Sequence, residues 1–343
     1  MKNILIIGGS GFIGRNVTKF LLERKDCFVT VADITNLVDV QKFSDVEDLE
    51  NLKIIVGDFT SINSFKKLDN HYDEIYMLAA VVGVNRTLKN PDEVIRINTN
   101  LTMNTLEWVQ QNSVKKIVFS SSSENYAGTS DLFNWNIPTD EKVPLCISDI
   151  KHPRWTYAMT KMHGESAFLH CAKSYGYECT IVRYQNIIGP NMGFGHAIPH
   201  IVQRFLEHRD GSFKVYGHDQ TRAFCYIDDA VKGTISAMES KKANGEIYHI
   251  GKEQEITMTD LTTYIGNLMG FDGEYENALT YPGSVSRRCP DISKAKKDFE
   301  YNPEIDWQIA VKNTVEWYID FFSSNKIPSG KGFESPEEIL RKI

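Results

Sequence analysis

Seven residues near the start of the chain, Gly8-Gly9-Ser10-Gly11-Phe12-Ile13-Gly14, constrain the fold more than any other stretch. They follow a short apolar run, Ile4 to Ile7, and open a helix-like segment that continues to Arg24. Glycine is needed here for a physical reason. Without a Cβ the chain can turn tightly from strand to helix, and its N–H groups can approach a pyrophosphate at the positive end of the helix. The run reads GxGxxG from Gly9 and GxxGxxG from Gly8, so it points to a dinucleotide without choosing the subclass.

The rest of the chain alternates short β-rich runs with longer helical ones. Ile4 to Gly8, Phe28 to Asp33, Lys53 to Asp58, Glu74 to Ala80, Lys116 to Ser121 and Glu178 to Tyr184 have strand length. Ile13 to Arg24, Pro91 to Gln111 and Thr156 to Tyr175 are long enough to cross a sheet. Apolar strands alternating with such helices predict an α/β fold of Rossmann type, a doubly wound parallel sheet covered on both faces. A length of 343 residues allows a second lobe. Residues 1–185 are expected to form the dinucleotide-binding domain, with 221–250 returning to it. Residues 186–220 and 251–343 are expected to form a smaller mixed α/β lobe that binds substrate across the crevice.

Asp33 closes the second strand 19 residues past Gly14, where a carboxylate can accept both ribose hydroxyls of an adenosine. It would repel a 2′-phosphate, and no Arg or Lys occurs from Thr30 to Gln41 to offset it, so NAD is expected rather than NADP. Asp58, ending the third strand, is placed to meet the adenine amino group. With 38 Lys plus Arg against 45 Asp plus Glu, the formal charge of −7 offers no general attraction to nucleic acid or anionic lipid. The start of the chain lacks the long apolar stretch of a signal peptide, and the six cysteines form no CxxC pair. A cytoplasmic protein with free thiols, away from membranes, is the expectation. No metal is expected: His196 and His200 have i, i+4 spacing, but Pro199 is expected to interrupt the helix and no third ligand is near in sequence.

Tyr157 and Lys161 stand four residues apart, on one face of a helix. A nearby cation favours phenolate and so lowers a phenol toward the range of a general base. The pair follows a serine cluster, Ser120-Ser121-Ser122-Ser123-Glu124, at the end of a strand, the end where ligands sit in a doubly wound sheet.

Gly8, Gly11, Gly14, Asp33, Asp58, Leu78-Ala79-Ala80, Asn98, the serine run, Tyr157, Lys161 and Arg183-Tyr184-Gln185-Asn186 follow one another in the order of a known family. From Lys2 to about Phe321 the chain resembles the extended short-chain dehydrogenase/reductases that act on nucleotide sugars as epimerases, dehydratases or decarboxylases. The resemblance implies that Ser122 and Tyr157 hydrogen-bond the sugar O4 and that Lys161 holds the nicotinamide ribose. It implies that Phe12, Ile13, Phe59, Leu78, Ala79, Ala80, Asn98 and Tyr184 line the NAD site. Ser123, Tyr126, Asn186 and Tyr216 are implied on the substrate side. The segments Gly217 to Phe224 and Arg287 to Asp291 resemble those that grip the substrate diphosphate, with Arg222 and Arg288 as the guanidiniums suited to phosphate. A homodimer joined through Pro91 to Gln111 and Thr156 to Tyr175 is implied as well.

The chain departs from the common pattern in two places. Asn125-Tyr126-Ala127-Gly128 stands where many relatives read Val-Tyr-Gly, and Ile188 replaces a usual tyrosine before Gly189-Pro190. Pro153-Arg154-Trp155-Thr156-Tyr157 resembles the uronate decarboxylases, whereas Glu124 also matches the base of sugar 4,6-dehydratases. The reading is an enzyme on a nucleoside-diphosphate hexose in which Tyr157 takes the O4 proton while the C4 hydride passes to NAD. Glu124 acting at C5 favours 4,6-dehydration. Uronate decarboxylation, C4 epimerisation and net 4-oxidation are the alternatives, and an NAD-sensing scaffold is the non-enzymatic one.

Overall fold

The computed structural model describes residues 1–37, 50–207, 211–280 and 284–324. The glycine run joins β1 (Lys2–Ile7) to α1 (Phe12–Arg24), which leads to β2 (Cys27–Asp33) and β3 (Leu52–Val56). Next come α2 (Ile62–Phe65), β4 (His71–Met77), α3 (Val84–Lys89), α4 (Pro91–Gln111) and β5 (Ser113–Ser122). A 3₁₀ turn over Ser123–Tyr126 and α5 (Ala127–Phe133) precede α6 (Trp155–Tyr175) and β6 (Glu178–Tyr184).

These strands pair in parallel in the order β3-β2-β1-β4-β5-β6, and the chain reverses direction across the sheet between β1 and β4. That switch point opens a crevice at the carboxyl ends of the strands. Alternation along β1 explains why both faces are covered. Ile4 and Ile6 pack with Val29, Val31 and α1 on one side, while Leu5 and Ile7 pack with Ile75, Ile117 and Phe168 on the other. Phe168 is wholly buried and stacks on Phe119 at 4.8 Å, fastening α6 to β5. Burial of one such ring is worth about 1.5–3 kcal/mol.

Beyond β6 lie β7 (Ile187–Ile188), α7 (Ala197–Glu207), β8 (Ser212–Tyr216), β9 (Thr221–Ala223) and β10 (Cys225–Tyr226). They are followed by α8 (Ile227–Glu239), β11 (Glu246–Ile250), β12 (Glu255–Thr257), α9 (Met258–Leu268) and β13 (Glu274–Ala278). The last described helices are α10 (Ser293–Phe299) and α11 (Trp307–Ser324). β11 adds a seventh parallel strand beside β6, and α8 packs on α1. The segment 221–250 does not return to the sheet as a whole. Thr221–Ala223 pairs with β12 and Cys225–Tyr226 with β7, in two-stranded sheets of their own. β8 pairs with β13, and α7, α9 and α11 pack together around them. Of the expected smaller lobe, 208–210, 281–283 and 325–343 lie outside the described residues. Pro199 does not break α7; it occupies the first turn, where a missing N–H costs no intrahelical bond. Among the described residues no helix is long and apolar enough to cross a membrane.

Candidate active site

A cavity of about 870 Å³ runs from the β1–α1 turn to the β8, β9 and α9 segments. At one end its wall is backbone. Gly8 has φ +91°, and a Cβ there would lie 2.5 Å from the Ala79 nitrogen; at Gly14 a Cβ would lie 2.1 Å from the Gly8 carbonyl. No side chain caps α1 and no acid occupies its first turn, so its N–H groups and positive end face the cavity uncompensated. Gly11, Phe12, Ile13, Leu78, Ala79 and Ala80 line this end. Asp33 accepts hydrogen bonds from the N–H groups of Ser10 and Thr35, both at 3.0 Å, which ties the glycine turn to the end of β2. Asp58 accepts from Thr60 N and Oγ1 at 2.9 and 2.7 Å, and Phe59 beside it also lines the cavity. A turn closed to a Cβ at Gly8 and Gly14, an open helix N-terminus and a carboxylate at the end of β2 fit a dinucleotide.

The middle of the cavity is formed by the end of β5 and the start of α6. Ser122 is the last residue of β5, and its Oγ accepts from the Glu124 N–H at 3.2 Å. One turn of α6 separates Tyr157 from Lys161, whose Nζ lies 5.8 Å from the phenol ring centroid and 4.9 Å from that of Phe119. Lys161 donates to the Ser120 carbonyl at 2.7 Å. Burial pulls the ammonium down, and Glu165 only partly restores it, leaving Lys161 at about 7. Burial raises the Tyr157 phenol, Ser122 opposes that shift and the Glu124 charge adds to it. The expected lowering of Tyr157 is therefore not a property of this chain by itself, because desolvation outweighs its polar neighbours.

Glu124 is held on both sides. Arg288 donates to Oε1 at 2.6 Å and Arg154 to Oε2 at 3.3 Å. Burial would raise its carboxyl, but the two guanidiniums outweigh burial and hold it at about 2. Both arginine side chains are less than a tenth exposed, and the Arg154 Nε is buried with no hydrogen-bond partner among the described residues. Arg288 lines the cavity, where it lies against Glu124 and Ser123 at the turn that follows Ser122. A charge-assisted hydrogen bond to the half-buried Glu124 carboxylate holds it there. Arg154 was missed as a site residue, although its place three positions before Tyr157 puts it on the same side of the helix start.

Toward the far end, Arg222 donates to Gln220 and Ser284 side chains and to the Thr221 carbonyl. Arg204, also missed, sits over the Tyr216 ring at 4.6 Å. Asn186, in the left-handed region at φ +35°, donates to the Ala223 carbonyl, and the Tyr184 hydroxyl shares a hydrogen bond with Thr234 at 2.8 Å. All of these line the cavity, as does Ser123.

Two expected site residues do not. Asn98 is buried beneath the loop after β4: its Oδ1 accepts from Val81 N at 2.7 Å and its Nδ2 donates to Val81 O and Thr160. Its amide is consumed in shaping the wall. Tyr126 is 2% exposed, accepts from Gln185 at 2.6 Å and packs against the His249 ring. The 3₁₀ turn that exposes Glu124 rotates Tyr126 into the core. Among the described residues no group of three or more His, Cys, Asp or Glu could hold a metal ion, and burial keeps His196 and His200 below the usual imidazole range.

Residues 4–251 match the model of the NAD dependent epimerase/dehydratase family. A UDP-N-acetyl-alpha-D-glucosaminuronate decarboxylase of Bacillus cytotoxicus is 33% identical over 327 residues, covering 92% of this chain and 98% of that protein. A UDP-glucuronate 4-epimerase of Thermodesulfobacterium geofontis is 30% identical over 325 residues, covering 92% and 96%. Among solved structures, the UDP-glucuronic acid 4-epimerase of Bacillus cereus with UDP-glucuronic acid and NAD superposes with TM-score 0.81 over 93% of this chain and 99% of that one. At 24% identity that last likeness is one of fold.

Proposed function

Because the chain belongs to the NAD-dependent epimerase/dehydratase family, and so is an NAD-dependent enzyme of nucleotide-sugar chemistry, we propose that it acts on a UDP-sugar with a carboxylate at C6 and releases that carboxylate as carbon dioxide. When bound, NAD supplies the oxidation at C4. The chain's own residues do the rest. Tyr157 and Ser122 handle the O4 proton, and Lys161, hooked to the Ser120 carbonyl, presents its ammonium beside the phenol. Oxidation at C4 makes the uronate a β-keto acid. Its C5–C6 bond then breaks, the electron pair moves toward O4, a proton returns to C5, and C4 would regain its hydride and O4 its proton, so that carbon dioxide is the only net loss. Hydrogen bonds from Ser122 and Tyr157 to O4 would favour the electron-rich oxygen.

The observation that carries the reading is the convergence of Arg154 and Arg288 on Glu124 beside Ser122. Planar guanidiniums suit carboxylates, and the Arg154 Nε has a donor to spare. Glu124 itself is a poor base at about 2, which weighs against its taking the C5 proton in a 4,6-dehydration. C4 epimerisation of the same uronate is the second reading, favoured by the relative named a UDP-glucuronate 4-epimerase. The proposed assembly is a homodimer through α4 and α6, supported by the exposed Ile95 and Met103 on α4.

Product masses from UDP-glucuronate, UDP-N-acetylglucosaminuronate, UDP-glucose and dTDP-glucose test the proposal. Loss of carbon dioxide from a uronate is expected. Unchanged mass with inverted C4 selects epimerisation, net loss of hydrogen selects 4-oxidation, and loss of water from a neutral sugar overturns the uronate assignment.

A further inference from the structure

Under the turn that carries Ser122 and Glu124 lies a buried ion pair to which no step above assigns a part. Glu165 and Arg183 are 4% and 2% exposed. Arg183 grips the carboxylate with two parallel bonds, Nε to Oε1 and Nη2 to Oε2, each 2.8 Å. The same Oε1 accepts from Ser121 Oγ at 2.5 Å and Asn125 Nδ2 at 2.9 Å. Ser121 and Asn125 flank the turn, so one oxygen staples both of its ends. Glu165 also stands one helical turn beyond Lys161 on α6. Lys161 anchors on Ser120 while Glu165 anchors on Ser121, consecutive residues of β5.

We propose that Glu165 is a positioning residue for the reaction: clamped by Arg183, it holds the Ser122–Glu124 turn in register with α6 and with the Tyr157–Lys161 pair. A buried ion pair contributes little net stability, since desolvation offsets the attraction. Geometry and local field are what it supplies here. Around Lys161 stand Tyr157 and Glu165 from its own helix, and Phe119 and Ser120 from β5. Of these, Glu165 supplies the charge that raises Lys161 against desolvation. Around Arg183 stand Tyr126 and Glu141, with His249 beside them.

The inference rests on the roles proposed above for Tyr157 and Lys161, and the failure of those roles would show separately as Tyr157→Phe retaining turnover. Glu165→Gln alone leaves Arg183 buried without its counter-charge and can fail to fold, so the decisive variant is Glu165→Gln with Arg183→Met, which removes both charges. Two readouts apply to the folded double variant. The first is the side-chain titration of Lys161 by NMR on ¹³Cε-lysine-labelled protein without NAD or sugar, the resonance being identified by its loss in Lys161→Met. Its midpoint is expected to fall by about one pH unit or more. The second is turnover of whichever sugar the product panel selects, with kcat expected to fall roughly tenfold or more and KM little changed. A purely structural pair would lower thermal stability and leave both readouts at their wild-type values. An unmoved Lys161 midpoint or an unmoved kcat overturns the proposal.

Discussion

At the dinucleotide end of the cavity, Gly8, Gly11 and Gly14 come from one continuous stretch and offer backbone to the ligand. At the sugar end, Glu124, Arg154 and Arg288 offer side chains from three segments, two of them 164 positions apart. The first region owes its shape to local sterics, which no distant substitution can replace. The second is an electrostatic balance in which each member's state depends on the other two. A local site is therefore robust and general across a family, whereas a site assembled from distant charges can change its chemistry when one charge changes.

The largest effect is expected at the catalytic helix. Tyr157→Phe removes the phenol that the proposal assigns to the O4 proton, and turnover is expected to fall by ~10² to 10⁴. NAD binding, read by calorimetry, should stay near wild type, since the glycine turn is untouched. A variant with full turnover would remove Tyr157 from the mechanism.

A pH series probes the balance at Glu124. Its folded carboxyl is held at about 2 against an ordinary 4.5, so its contribution to stability is fully present above 4.5 and is lost as pH falls toward 2. The stability gap between wild type and Glu124→Gln, measured by urea melts, should be flat above the upper value and narrow below it, by an amount on the order of a few kcal/mol. A gap independent of pH would mean that the guanidiniums do not hold the charge.

Arg154→Leu separates substrate recognition from folding of the turn. Losing one charge-assisted hydrogen bond costs about 1.5–3 kcal/mol, so kcat/KM for a uronate should drop roughly tenfold to a hundredfold or somewhat more. Any residual activity on a neutral UDP-sugar should not drop with it. Equal losses on both substrates would place Arg154 outside carboxylate recognition.

The smallest effect belongs to the cofactor end. Wild type is expected to prefer NAD over NADP, and Asp33→Asn should narrow that preference by about tenfold as the repulsion of a 2′-phosphate is removed. Calorimetric affinities that do not discriminate in wild type would overturn the part given to Asp33.

Legibility in the sequence follows the same division. The strands from β1 to β6 and helices α1, α4 and α6 could be read within a few residues, because apolar runs and helix length are local signals. The spacing of Tyr157 and Lys161 likewise placed both on one face of α6. Asn98 and Tyr126 were legible as motif members but not as structural ones. Whether such a side chain meets the cavity or the core depends on a loop bonded to Asn98 and on a 3₁₀ turn that rotates Tyr126 away.

By itself the sequence determined a parallel, doubly wound sheet, a dinucleotide cradle and the helix bearing the tyrosine–lysine pair, since each arises from steric and periodic rules acting over a few turns of chain. Only the tertiary structure decided that Arg288 meets Glu124, that Arg154 closes on its other side, and that Glu165 and Arg183 staple the turn from below. Charges separated by dozens of residues reveal their partners only when the fold buries them together, where desolvation makes each dependent on the other.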